Sequence, residues 1–320
     1  MTTKRDIACR GRQRGSALIA VFWLMAILSL AVFSTIYVVN SDVAVVVSQR
    51  KAFRAMQLAE MGVAIASNPA VEEFDPLLHQ TFESGEGFDA RIRSESGWLN
   101  INRLVMDGGD TLLLEELFQR WGMEKEEAIL VVRALQDWVD ADEINRFDGF
   151  NDGAEKEWYE ENGFENYPFD RPFYDLEEVI LVRGMDVVAS YQPNWRKYFT
   201  IWSEGQLDIN EADPELIAAA AGTDVDSVWD VVRLRDGDDE LADTEDDTPF
   251  QSVDEALALI EGDGMAEDPA LIRNRFTTRS NTVRIESVGR VGDYERRLVV
   301  IVRNRESRPT ILSIEESPVE

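Results

Sequence analysis

Cysteine and histidine each occur once in the 320 residues, as Cys9 and His79. A single cysteine excludes an internal disulfide and any Cys-rich zinc or iron–sulfur site. A single histidine excludes a His-cluster metal site and leaves a His-based catalytic triad without support. His79 follows Leu77-Leu78 in a connecting segment and reads as a surface or packed side chain. Basic residues are also scarce: 32 Lys+Arg stand against 62 Asp+Glu, a net charge of −30. A chain this acidic is repelled by phosphate backbones, which disfavours general nucleic-acid binding. Apolar residues are not scarce. At 44% hydrophobic and 29% charged, the chain is too apolar for disorder, and it is long enough for one large domain or two modest ones.

The N-terminus carries Lys4, Arg5, Arg10, Arg12 and Arg14 against Asp6 alone, and then no charge until Asp42. A membrane-spanning helix needs about 20 apolar residues, so Gly15–Ser41 is long enough to span. The positive-inside rule keeps the basic end in the cytoplasm. Three readings compete. A cleaved secretory signal has a shorter apolar region and a small-residue cleavage site. A plain signal anchor has no processing. A prepilin-type leader is a short basic segment ending in Gly, followed by a small polar residue and an apolar helix. Arg12-Gln13-Arg14-Gly15-Ser16-Ala17-Leu18 fits the third form, with cleavage between Gly15 and Ser16 on the cytoplasmic side. Val43–Ser67 continues with amphipathic helical spacing through Val46, Phe53, Leu58, Met61 and Ile65, and Asn68-Pro69 ends it.

Further along, Glu86–Ser94 alternates and predicts a strand. Helical patterns follow over Thr111–Trp121, Lys125–Val139 and Asp175–Arg183, the last closed by Gly184. Asp213-Pro214-Glu215 is a strong helix start, and that helix ends at Gly222. Further helices are expected over Val225–Arg235 and Ser252–Ile260. Thr282–Val291 and Tyr294–Val302 alternate around Gly292-Asp293 and predict a hairpin. Two stretches share the order L-x-I-N, helix, helix, acidic loop, P-F, helix, G-M. The first runs from Leu99-Asn100-Ile101-Asn102 through Pro172-Phe173 to Gly184-Met185. The second runs from Leu207-Asp208-Ile209-Asn210 through Pro249-Phe250 to Gly264-Met265. This predicts an internal duplication.

The acidic loop after Asp137 offers Asp140, Asp142, Glu143, Asn151, Asp152 and Glu155. Clustered hard oxygen ligands suit Ca²⁺, which takes six to eight of them. The spacing departs from an EF-hand, because Ile144 stands where a fifth-place Asp or Asn belongs. The second acidic loop, Asp236–Asp247, reads better as a solvated run.

Taken in order, these segments resemble the K-type minor pseudopilins of type II secretion (GspK). The carriers are Arg14-Gly15-Ser16-Ala17-Leu18, Trp98-Leu99-Asn100-Ile101-Asn102 and Asp137-Trp138-Val139-Asp140-Ala141-Asp142. Gly153-Ala154-Glu155 with Tyr159, Arg171-Pro172-Phe173, Leu181-Val182-Arg183-Gly184-Met185 and Asp208-Ile209-Asn210 through Pro249-Phe250 complete the set. The resemblance implies a fibre-tip position in complex with the minor pseudopilins I and J, above a major pseudopilin. It also implies processing at Gly15 and Ser16 by a prepilin peptidase with methylation of the new amine, and calcium in the helical domain. Most pilins carry Glu at the fifth mature position, whereas Ala20 stands here, as in the K type. A subunit without that Glu has nothing to offer the amine of a subunit ahead of it.

The expected class is α+β. A long N-terminal transmembrane and amphipathic helix packs on a small antiparallel pilin-like sheet, with a large all-helical insertion that is SAM-like or helix-hairpin-helix-like and duplicated. The expected layout is a leader at 1–15, the helix at 16–68 with 16–41 in the inner membrane, and a pilin-like α/β domain from 69–96 and 276–305. Helical units occupy 97–192 and 193–275, and 306–320 forms a C-terminal tail. The chain is expected to be single-pass in the inner membrane, in contact with its lipid, with a periplasmic C-terminal domain. It is expected to have no catalysis of its own and no nucleic-acid partner. Three alternatives remain: a type IV pilus minor pilin, a membrane-anchored helix-hairpin-helix DNA binder entered at Asp208-Ile209-Asn210-Glu211-Ala212-Asp213-Pro214, and an anchored carboxylate-pair hydrolase. The second needs a basic hairpin, but Gly222-Thr223-Asp224-Val225-Asp226 carries two aspartates.

Overall fold

The computed structural model describes residues 16–141, 154–239, 244, 246–260 and 268–318. The chain divides into two compact units, Met1–Arg54 and Ala55–Glu320. In chain order the elements begin with α1 (Ser16–Ala66), β1 (His79–Thr81), β2 (Gly87–Ser94) and β3 (Leu99–Asn100). Then come α2 (Ile101–Val105), α3 (Thr111–Arg120), α4 (Lys125–Val139), α5 (Lys156–Glu161), α6 (Met185–Tyr191) and β4 (Phe199–Thr200). A second run holds β5 (Leu207–Asp208), α7 (Pro214–Ala221), α8 (Trp229–Arg235), α9 (Val253–Leu257), α10 (Pro269–Arg275) and β6 (Phe276–Thr277). The chain closes with β7 (Thr282–Val291), β8 (Tyr294–Arg303) and β9 (Thr310–Pro318).

In the first unit, the apolar side chains of α1 from Leu18 to Val47 are exposed. In the second unit, α1 buries Ala55, Leu58, Ala59 and Ala66. These fall at helical three- and four-residue spacing and form one apolar stripe. The stripe lies on a five-stranded antiparallel sheet of order β1-β2-β7-β8-β9. Phe88, Ala90 and Ile92 of β2, Ile285 of β7, and Leu298, Val300 and Val302 of β8 complete this core. Small residues let the helix sit close. A Cβ on Gly289 would overlap the Ala55 carbonyl, and one on Gly62 would overlap the side chains of Ser287 and Phe88. The predicted hairpin is present, with Val291 opposite Tyr294. Gly292 takes φ +58° at the first position of the two-residue turn, where a side chain would be strained.

Residues 306–320, expected as a tail, contain β9. It pairs antiparallel with β8 along Arg296–Arg303 and forms the sheet's edge. The fifth strand is therefore a correction to the sequence reading.

Everything from Glu95 to Asn281 is inserted between the neighbouring strands β2 and β7. This head has its own core, which shares no residue with the sheet's core. Two short parallel pairings punctuate it. Leu99 and Asn100 pair with Phe199 and Thr200, and Leu207 and Asp208 pair with Phe276 and Thr277. The predicted α7 is realised as read: Asp213 accepts from the Glu215 N–H at 2.9 Å, Pro214 opens the helix, and Gly222 closes it at φ +65°.

Other helices are shorter than expected. The Asp175–Arg183 pattern forms only a 3₁₀ segment, Leu176–Leu181, which ends as Val182 turns extended. Gly184 does not close it. At φ +83° it opens α6 instead. Val225–Val228 is likewise 3₁₀ ahead of α8.

Candidate functional site

The L-x-I-N and P-F landmarks meet in space, and in the same way twice. The Asn102 side chain donates to the Phe173 carbonyl at 2.9 Å and accepts from the Phe173 N–H at 2.8 Å. The Asn210 side chain does the same to Phe250, at 3.0 and 2.8 Å. A primary amide has one donor and one acceptor end, so it alone among short side chains can substitute for a strand neighbour in this way. Phe173 and Phe250 are buried by the arrangement, as are Leu99, Ile101, Leu207 and Ile209.

The two ends of the first acidic loop are held by α4. Asp137 is buried and its carboxylate accepts from the Ala154 N–H at 2.8 Å. Trp138, fully buried, packs on Tyr159, Tyr167, Phe169 and Phe173 at ring separations of 5.7, 5.2, 5.2 and 6.1 Å. The Tyr159 hydroxyl accepts the Arg183 N–H at 3.1 Å. Burial pushes the Tyr159 phenol well above its ordinary range, and Asp137 and Glu155 add to the rise.

Of the six candidate metal ligands, Asp142, Glu143, Asn151 and Asp152 lie outside the described residues. Asp140 and Glu155 are described, and the oxygens of both carboxylates are enclosed by protein. Among the described residues, no group of three or more His, Cys, Asp or Glu is placed to hold a metal ion. The donor chemistry is all-oxygen, which fits a hard cation and not zinc or copper.

The second acidic loop is described in part. Asp246 accepts the N–H groups of Asp238 and Asp239 at 2.7 and 3.2 Å, and the Thr244 hydroxyl at 2.8 Å. The Thr244 bond holds the Asp246 carboxyl below its usual range. In the α7–α8 hairpin, Asp224 and Asp226 are exposed and oppose any phosphate. His79 is also exposed, on β1, 3.1 Å from Asp89 of β2.

At the N-terminus, Gly15 lies outside the described residues. Ser16 is the first residue of α1, and Ala20 is exposed on it. Among the described residues one helix, Ala17–Ala66, is long and apolar enough to cross a membrane, and its most apolar stretch is wholly unburied. Sequence reasoning missed Glu95, a fully buried carboxylate that binds Arg284 of β7. The only signal was an acid immediately after a strand and before Trp98.

Residues 97–194 match the family model of type II secretion system (T2SS), protein K. Over those residues the chain is similar to the T2SS protein K family. The match covers the first L-x-I-N and P-F landmarks, α2 to α6 and both ends of the acidic loop. No curated protein matches the chain. The chain is similar to one in the crystal structure of the GspK-GspI-GspJ complex from the enterotoxigenic Escherichia coli type 2 secretion system. Identity is 14% and the TM-score 0.62, over 87% of this chain and 100% of that one. At that identity the likeness establishes a shared fold. The fold is thus α+β, with a long apolar N-terminal helix and an antiparallel sheet. The helix fits a membrane anchor.

Proposed function

We propose that the chain is a minor pseudopilin of type II secretion, placed at the tip of a periplasmic pseudopilus that drives folded proteins through the outer membrane. The observation that carries this reading is the head inserted between β2 and β7 of a pilin-like sheet, with residues 97–194 of protein K type. Its role is structural and not catalytic. The N-terminal half of α1 lies in the inner membrane with residues after Asn40 on the periplasmic side, as the basic N-terminus requires. Ala20 leaves it without the Glu that pairs with the amine of a subunit ahead, which suits the first position in a fibre. A large head on such a subunit would clash with anything stacked above it. By analogy with the similar chain in the GspK-GspI-GspJ complex, its partners are minor pseudopilins of the I and J types.

Calcium belongs to the same reading. Asp140 and Glu155 would hold it from the two ends of the acidic loop, together with Asp142, Glu143, Asn151 or Asp152, and it would fix the loop without entering any reaction.

Intact-mass measurement and N-terminal sequencing of the chain from membranes, with and without a prepilin peptidase, test the proposal. A methylated Ser16 appearing only with the peptidase is the expected result. An intact Met1, or a cut beyond the apolar run, overturns it. Co-purification with I- and J-type pseudopilins, and not with a type IV pilus, identifies the machine.

A further inference from the structure

The seam between the head and the sheet is polar. Among the described residues the two apolar cores share no member. Directional bonds cross from one to the other.

Two of those bonds run from Thr282 of β7 to Glu204 and from Arg303 of β8 to the Trp202 carbonyl, each at 3.0 Å, and the charged pairs gather on two arginines. Arg93 of β2 and Arg284 of β7 are direct cross-strand partners on the sheet face away from α1. Like charges placed opposite one another destabilise a strand pair. Here three groups from the head relieve them. Trp98 lies against both guanidiniums, at 5.2 and 4.4 Å. Glu95, fully buried in the entry turn, accepts from Arg284 at 2.8 and 3.1 Å and from the Thr200 hydroxyl. Glu211, just beyond β5, pairs with Arg93. Gly97 makes room for it, since a Cβ there would overlap the Glu211 side chain.

The two halves differ in exposure. The Glu95 side chain is 0% exposed, so breaking its pair strands a buried charge. Arg93 and Glu211 keep 28% and 13%, so water can replace either partner. Once free, Arg93 is also repelled by Arg284.

We propose that the seam is a joint: Glu95–Arg284 is its fixed pivot, and Arg93–Glu211 is the latch that holds the head in one posture on the sheet. Opening the latch lets the head turn while both cores stay folded. This inference rests on the fold alone and stands whether or not the fibre-tip reading does.

The test uses the full chain in detergent micelles with Cys9→Ser. Spin labels go at Asp186→Cys in the head and Asp293→Cys in the β7–β8 turn. The parent should give one narrow distance distribution. Glu211→Gln and Gly97→Ala should each broaden it at least twofold with unchanged circular dichroism. The parent in 1 M salt, where the screening length falls to about 3 Å, should broaden likewise. The salt arm needs no substitution, so it decides even if a variant fails to fold. Widths that stay at the parent value in the folded variants, or in 1 M salt, overturn the proposal.

Discussion

The side-chain amide of Asn102 satisfies both backbone polar groups of Phe173, 71 residues further along the chain. Replacement with Ala leaves a buried N–H and a buried carbonyl without partners. Each such group costs about 1–3 kcal/mol, so Asn102→Ala should lose about 2–4 kcal/mol in denaturant unfolding. The Asn210 clamp is only partly buried, so Asn210→Ala should cost roughly half as much, since water can reach the freed groups. Equal losses at the two sites would contradict the burial argument.

Asp208 occupies in the second segment the place that Asn100 occupies in the first. Burial pushes its carboxyl above the ordinary range, with Ser94, the Asn210 N–H and Arg235 pulling it back. A raised carboxyl binds its proton more tightly in the folded state. Its destabilising effect is therefore fully present above the folded pKa and disappears as pH falls below the unfolded value of 3.8. Asp208→Asn should raise the urea midpoint at pH 7, and the gain should shrink on acidification towards pH 4. A variant less stable at neutral pH would show that the Arg235 interaction outweighs burial.

Gly289 sits directly beneath the backbone of α1 at Ala55 and Ala59. Neither backbone can yield locally, so Gly289→Ala must lift the helix from the sheet. Overpacking of this kind costs about 1–3 kcal/mol or more. The expected readout is a lower melting temperature with faster amide exchange in β7 and β8. Exchange confined to the head would disprove this placement of the strain.

Calcium should raise the melting temperature of the chain relative to EDTA. Asp140→Asn combined with Glu155→Gln should abolish the rise. Identical melting in calcium and EDTA would remove the metal from the proposed role of the acidic loop.

The parts legible in the sequence were those governed by local rules. Asp213-Pro214 with Gly222, the β7–β8 hairpin and the apolar stripe of α1 each follow from a few neighbouring residues. The paired landmarks were legible as a pattern, although the clamp that joins Asn102 to Phe173 was not. Strand β9 escaped because its pairing is bulged. Ile311 and Ile314 lie three residues apart, yet face Val302 and Val300, which lie two apart. That extra residue erases the two-residue alternation by which a strand is read. Asp268-Pro269 repeats the start signal of α7 and does open α10, so that helix was legible but went unpredicted. The pairs that link sheet and head, Glu95 with Arg284 and Arg93 with Glu211, join residues whose separations in the chain exceed any local pattern.

The position of the insertion also sets an order of events. The surface that receives the lower part of α1 is built largely from β7 and β8, which are synthesised last, whereas α1 is synthesised first. During synthesis the helix is made before its seat is complete, and all of residues 95–281 must follow before β7 and β8 supply the rest of it. The head, closed within itself by its own core, can fold in the meantime. The anchor domain is therefore the last part of the molecule to become complete, and a truncation that removes only β7 to β9 would leave a finished head tethered to an unfinished base.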